Sequence, residues 1–114
     1  MTAGPAANPT GNSPATSPEA AAAAAATARC IAKICNQRGL HARAAARFVK
    51  TAHQFDAEIW VRKNGTTVSG RSIMGLMMLA AASGVELEIS AAGREADEAV
   101  ATLARLVECK FDED

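Results

Sequence analysis

From Val85 to Ala91 the chain alternates strictly, with Val85, Leu87, Ile89 and Ala91 apolar and Glu86, Glu88 and Ser90 polar between them. A period of two marks a strand with one face buried and the other wet, the usual situation in an antiparallel sheet covered on one side. Asn64-Gly65 adds a second constraint, because both residues tolerate positive φ and together favour a tight hairpin. The strand-like run Glu58 to Arg62 precedes that turn and Thr66 to Val68 follows it. Ile31 to Cys35 reads as a fourth strand, also short.

Three segments between and after these strands carry helical spacing instead. Residues 41–53 place Ala45, Phe48, Val49 and Ala52 on one face. Ser72 is suited to cap a short helix bearing Ile73, Met74, Leu76, Met77 and Leu79. Ala99, Val100, Leu103, Leu106 and Val107 form the stripe of a last amphipathic helix. The expected order is β-α-β-β-α-β-α, an α+β fold whose four-stranded antiparallel sheet is covered on one face by three helices.

The composition changes sharply near residue 28. Residues 1–28 hold all four prolines, much of the alanine and only one charged residue, Glu19. A segment so poor in large apolar side chains cannot offset its ordering entropy, so a flexible extension with at most a transient helix is expected there. The folded domain is expected over residues 29–114, roughly 85 residues, enough to bury a stable core without disulfides.

Several functional classes lose ground on composition. Basic and acidic residues both number 12 in the 114-residue chain, so no overall basic field favours nucleic acid. No run of about 20 apolar residues could span a bilayer, and no charged start followed by an apolar stretch suggests a secretory signal. A monomeric cytoplasmic protein is expected. Cys30 and Cys35 have the parity of opposite strand faces, and Cys109 stands alone, so neither a disulfide framework nor a zinc site is expected. No glycine-rich phosphate loop, Ser/His/Asp set or metal-type acidic cluster is apparent, and no cofactor is expected.

The chemistry concentrates at Gly39-Leu40-His41-Ala42-Arg43. Gly39 permits a sharp loop, and His41 falls where the first long helix begins. The opening N–H groups of a helix lack internal partners and carry partial positive charge, so they can receive the oxygens of an anion. A neutral imidazole is a nucleophile, and Arg43 in the same turn offers a fixed cationic fork. Together these make a small phosphoryl-accepting site. A histidine without a substrate pocket suits a relay better than an enzyme acting alone.

The run Gly39-Leu40-His41-Ala42-Arg43-Ala44-Ala45 resembles the phosphohistidine signature of the HPr family, the small carriers of the bacterial phosphoenolpyruvate-dependent phosphotransferase system. Ser72-Ile73-Met74-Gly75-Leu76-Met77 resembles the same family's second signature, around its regulatory serine. The resemblance spans residues 29–111. It implies an open-faced β-sandwich in which His41 takes a phosphoryl group from enzyme I and passes it to a histidine of an enzyme IIA. It further implies that Arg43 steadies the phosphoryl group, and that Ser72 is a target for HPr kinase/phosphorylase. Ile73, Met74 and Met77 are implied as a docking face for partners, with Phe48 at its margin. On this reading the protein is a stoichiometric carrier more than an independent enzyme.

One departure bears on the pathway. Ala44 stands where the family often has proline, and the alanine-rich motif with Ser-Ile-Met-Gly-Leu-Met-Met is similar to proteobacterial nitrogen-type or regulatory members. That likeness implies a regulatory acceptor in place of sugar import and leaves the phosphotransfer itself as before. An alternative from a different class is a regulatory binding module, whose phosphorylation at Ser72 or His41 is read by partners without onward transfer. The remaining residues read as structural. His53 suits a helix end, the acidic Asp112-Glu113-Asp114 suits a solubilising terminus, and Trp60 is expected on the solvated face of its strand.

Overall fold

The computed structural model describes residues 18–112. The first seventeen residues of the expected extension and the last two of the acidic tail lie outside the described residues. Helix α1 spans Pro18–Ala24, followed by β1 (Ala28–Lys33), α2 (Ala42–Ala52), β2 (Glu58–Lys63) and β3 (Thr66–Ser69). Helix α3 (Ile73–Met78), β4 (Glu86–Ala92) and α4 (Ala96–Glu108) complete the fold, and a 3-10 turn at Lys110–Asp112 follows. The four strands form one sheet in the order β1-β4-β2-β3, and every neighbouring pair is antiparallel.

The alternation in β4 sets the two faces. Leu87, Ile89 and Ala91 are buried, as are their register neighbours Ala32, Ala28, Val61 and Ile59 on β1 and β2. Helix α4 lies on this face across β1, β4 and β2, helix α2 packs beside it, and α3 joins α2 and β3. Phe48 and Val49 of α2 meet Leu103, Leu106 and Val107 of α4 and Leu76 of α3 in one apolar core. Asn64 at φ 50° and Gly65 at φ 85° turn β2 into β3, the conformation a two-residue hairpin requires.

The opposite face differs from expectation in two respects. The end of the extension is a helix, α1, that lies against β2, β3 and β4, and Ala23 in it is buried. Small alanine side chains let the helix backbone approach the sheet closely, which a helix with larger residues could not do. Trp60 shares a face with Ser69, Ser90 and Arg29 by register, and it is only 8% exposed. The expectation of a solvated Trp60 is thus corrected. Arg29 donates from Nη2 to the Ala24 carbonyl at 2.7 Å, fastening the end of α1 to this face. The first strand also starts earlier than its sequence pattern suggests and ends before Cys35, and Ile31, opposite Glu88 in register, lies on the outer face, 60% exposed. All three cysteines are free thiols.

Candidate functional site

The loop before α2 is fixed from both sides. Gly39 takes φ 68°, and its N–H donates to the Asn36 carbonyl at 3.2 Å. The Asn36 side-chain amide donates back to the Gly39 carbonyl at 2.9 Å from a buried position. Leu40 is buried, and its N–H donates to the Ala81 carbonyl at 2.9 Å. A Cβ on Gly39 would meet that same carbonyl oxygen at 2.6 Å, so glycine is required by close approach as well as by φ. Asn36 and Ala81 had no role in the sequence reading. An Asn three residues before a Gly is a local turn signal that could have exposed the first, but nothing local to Ala81 marks a partner 41 residues upstream.

This loop delivers His41 to the cap position of α2. Its backbone is extended at φ −83°, ψ 178°, and its carbonyl accepts the Ala45 N–H at 2.8 Å, opening the helix. The imidazole does not serve as the helix cap, and the residue is half-buried. The cap position adjoins the N–H groups that α2 leaves unused in its first turn. Arg43 is exposed in that turn, whereas Ala44 and Ala45 are buried beneath it. His41, the start of α2 and Arg43 therefore share one corner of the molecule, an arrangement suited to phosphoryl oxygens. The small open groove lined by Thr51, Gln54, Arg105 and Cys109 lies at the other end of α2 and is remote from this chemistry.

Ser72 caps α3 as its residue type suggests. The backbone is extended at φ −115°, ψ 112°, and Oγ accepts the Gly75 N–H at 2.9 Å. Gly75 keeps this turn tight, since a Cβ there would sit 3.2 Å from both Ser72 Oγ and Val68 Cβ. Arg71 anchors the same turn across the molecule, donating from Nη2 to the Ala57 carbonyl at 2.7 Å and to the Phe55 carbonyl at 3.2 Å. Ser72 stands at the start of α3, whereas the His41 loop is bonded to Ala81, in the segment that follows its end.

The outward side of α3 is apolar and open. Ile73, Met74 and Met77 are exposed as the docking expectation requires, and Met78, which that expectation omitted, is exposed at 77%. Phe48 corrects the same expectation: at 1% exposure it is a core residue beneath the helices and no part of an accessible face. Its helical phase alongside Val49 and Ala52 already placed it on the buried stripe. His53 is the C-cap of α2, and Asp112 forms an ion pair with Arg47 at 3.8 Å. Among the described residues no His, Cys, Asp and Glu group has the spacing to hold a metal ion. No described helix is long and apolar enough to cross a membrane.

Comparison with known proteins falls on the same region. Residues 28–109 match the family model described as the PTS HPr component phosphorylation site. The chain is 49% identical over 81 residues to a phosphocarrier protein HPr of Neisseria meningitidis serogroup A, covering 71% of this chain and 91% of that one. It is 41% identical over 80 residues to a phosphocarrier protein NPr of Shewanella violacea, covering 70% and 88% respectively. A crystal structure of an HPr from Thermoanaerobacter tengcongensis superposes with a TM-score of 0.74 at 42% identity, over 77% of this chain and 99% of that one.

Proposed function

The chain belongs to the HPr family of phosphocarrier proteins of the bacterial phosphotransferase system, and we propose that it is a phosphoryl relay working through His41. Enzyme I, charged by phosphoenolpyruvate, presents a phosphohistidine. The lone pair of neutral His41 Nδ1 attacks phosphorus, a new N–P bond forms, and the donor's N–P bond breaks with its electron pair staying on the donor nitrogen; the donor ring takes up one proton as His41 Nε2 releases one, so both rings stay neutral. The same exchange then runs from His41 to a histidine of an enzyme IIA. The observation that carries this reading is the placing of His41 as the half-buried cap residue of α2, with Arg43 exposed in the first turn.

The role of each group follows from where it stands. The first-turn N–H groups and Arg43 neutralise the oxygens of the transferring group, which is where most catalysis of such transfers lies. The apolar surface of Ile73, Met74, Met77 and Met78 provides a docking area that excludes water when a partner closes over the site. Phosphorylation of Ser72 by a kinase would place a dianion at the start of α3, beside Ile73 and Met74, and so weaken docking of enzyme I. The protein acts as a cytoplasmic monomer in this scheme.

Ala44 in the motif and the alanine-rich sequence around it favour a regulatory enzyme IIA as acceptor. Onward transfer separates the relay from a purely regulatory binding module. Phosphoprotein labelled on His41 is mixed with purified enzyme IIA proteins of the regulatory and sugar classes. Loss of label from the carrier with gain on a regulatory IIA supports the full reading, and retention of label against every IIA contradicts the relay.

A further inference from the structure

We propose that Lys63 is a positioning residue for phosphoryl transfer at His41, acting through the end of α3 and the Ala81 carbonyl. The inference rests on the relay reading of His41. Lys63 is the last residue of β2 and lies far from the transferring group in sequence and in role. Its ammonium donates to the Leu79 carbonyl at 2.9 Å and to the Ala80 carbonyl at 3.3 Å. These are the peptide groups on either side of Ala80, which holds φ 51°.

A residue with a Cβ rarely occupies that left-handed region and does so only when its surroundings enforce it. Helix ends commonly meet this need with glycine, and here an alanine fills it. The end of α3 also leaves carbonyls without helical partners, at the negative pole of the helix. One lysine meets both demands. It satisfies two carbonyls with charge-assisted bonds and clamps the two peptide planes whose relative rotation defines the strained residue.

The next carbonyl in line is that of Ala81, the acceptor of the Leu40 N–H. It is also the atom that Gly39 approaches too closely for any side chain. Lys63 therefore fixes Ala80, Ala80 aims the Ala81 carbonyl, and that carbonyl holds the residue immediately before His41. If Ala80 relaxed to a negative φ, the Ala81 carbonyl would turn and the Leu40 N–H would lose its acceptor on this segment.

The test compares Lys63→Met, Lys63→Arg and the double variant Lys63→Met/Ala80→Gly with the wild type. Two quantities are read: the steady-state kinetics of His41 phosphorylation by phosphorylated enzyme I, and the amide exchange of Leu40 by NMR. Lys63→Met is expected to lower kcat by about tenfold with little change in KM, because the docking face of α3 is untouched. Leu40 exchange should rise by a similar factor, while amides of β4 keep their protection. Lys63→Arg should restore both, since a cation again reaches the carbonyls. Glycine in the double variant should recover most of the rate, because it holds positive φ unaided.

Unchanged Leu40 exchange and unchanged kcat in Lys63→Met would overturn the proposal. So would an equal loss of protection in β4, which would mean general destabilisation. A wild-type protein that accepts no phosphoryl group would instead overturn the relay reading, and Leu40 exchange would still decide whether Lys63 holds the loop.

Discussion

The Leu40 N–H donates to the Ala81 carbonyl at 2.9 Å, joining the loop that carries His41 to the segment that follows α3. Leu40 is buried and Gly39 packs against the same carbonyl, so the contact has no slack. Gly39→Ala should therefore be costly twice over, through positive φ and through the 2.6 Å approach. A destabilisation of about 2 kcal/mol or more is expected. Chemical denaturation measures it, and the rate of His41 phosphorylation should fall alongside.

Arg43 is exposed and packs against no core, so replacing it should leave the fold intact. Loss of a charge-assisted contact to the phosphoryl oxygens should lower kcat/KM for phosphoryl acceptance about 10- to 100-fold in Arg43→Ala. Arg43→Lys should recover only part of this, because an ammonium lacks the planar fork. Steady-state kinetics with phosphorylated enzyme I, alongside a melting curve for each variant, provide the check.

Ser72 contributes in two separable ways. Ser72→Ala removes the acceptor for the Gly75 N–H and should cost about 1 kcal/mol of stability. Ser72→Asp keeps a capping oxygen but adds charge beside Ile73 and Met74. It should retain most of the stability and slow phosphorylation of His41. Equal phosphorylation rates for Ser72→Asp and wild type would sink the regulatory role.

Met74 and Phe48 should respond in opposite ways. Met74 is 71% exposed, so Met74→Glu should change stability by less than about 0.5 kcal/mol while raising KM for enzyme I. Phe48 is fully enclosed, and Phe48→Ala should cost about 3–5 kcal/mol. Thermal unfolding and transfer kinetics on the two variants separate the docking face from the core beneath it.

Trp60, the sole tryptophan, reports on α1. A seven-residue alanine helix has little stability of its own and depends on its packing against the sheet. Removal of residues 1–24 should uncover Trp60 and shift its fluorescence to longer wavelength, with more effective quenching by iodide. An unchanged spectrum would show that the ring is covered without α1.

Much of this was legible in the chain itself. The alternation of β4 and the Asn64-Gly65 turn are local signals, and local chemistry suffices to read them. His41 and Ser72 were legible for the same reason, since a helix start acts on the residues of its own first turn. Trp60 was misread because alternation assigns a face but cannot say what covers it, and alanines carry no amphipathic signal to announce that α1 packs. Phe48 was misplaced because the resemblance drew it toward the docking face against its own helical phase. Ala81 and Lys63 were invisible because their partners are backbone atoms brought close only by the assembled fold.

If His41 carries the phosphoryl group, intact mass will show it. The 114-residue protein and His41→Ala are each incubated with phosphoenolpyruvate and enzyme I, then measured before and after brief acid treatment. One phosphate is expected on the wild type, lost in acid, and none on His41→Ala. An unlabelled wild type, or a label that survives on His41→Ala, would contradict it.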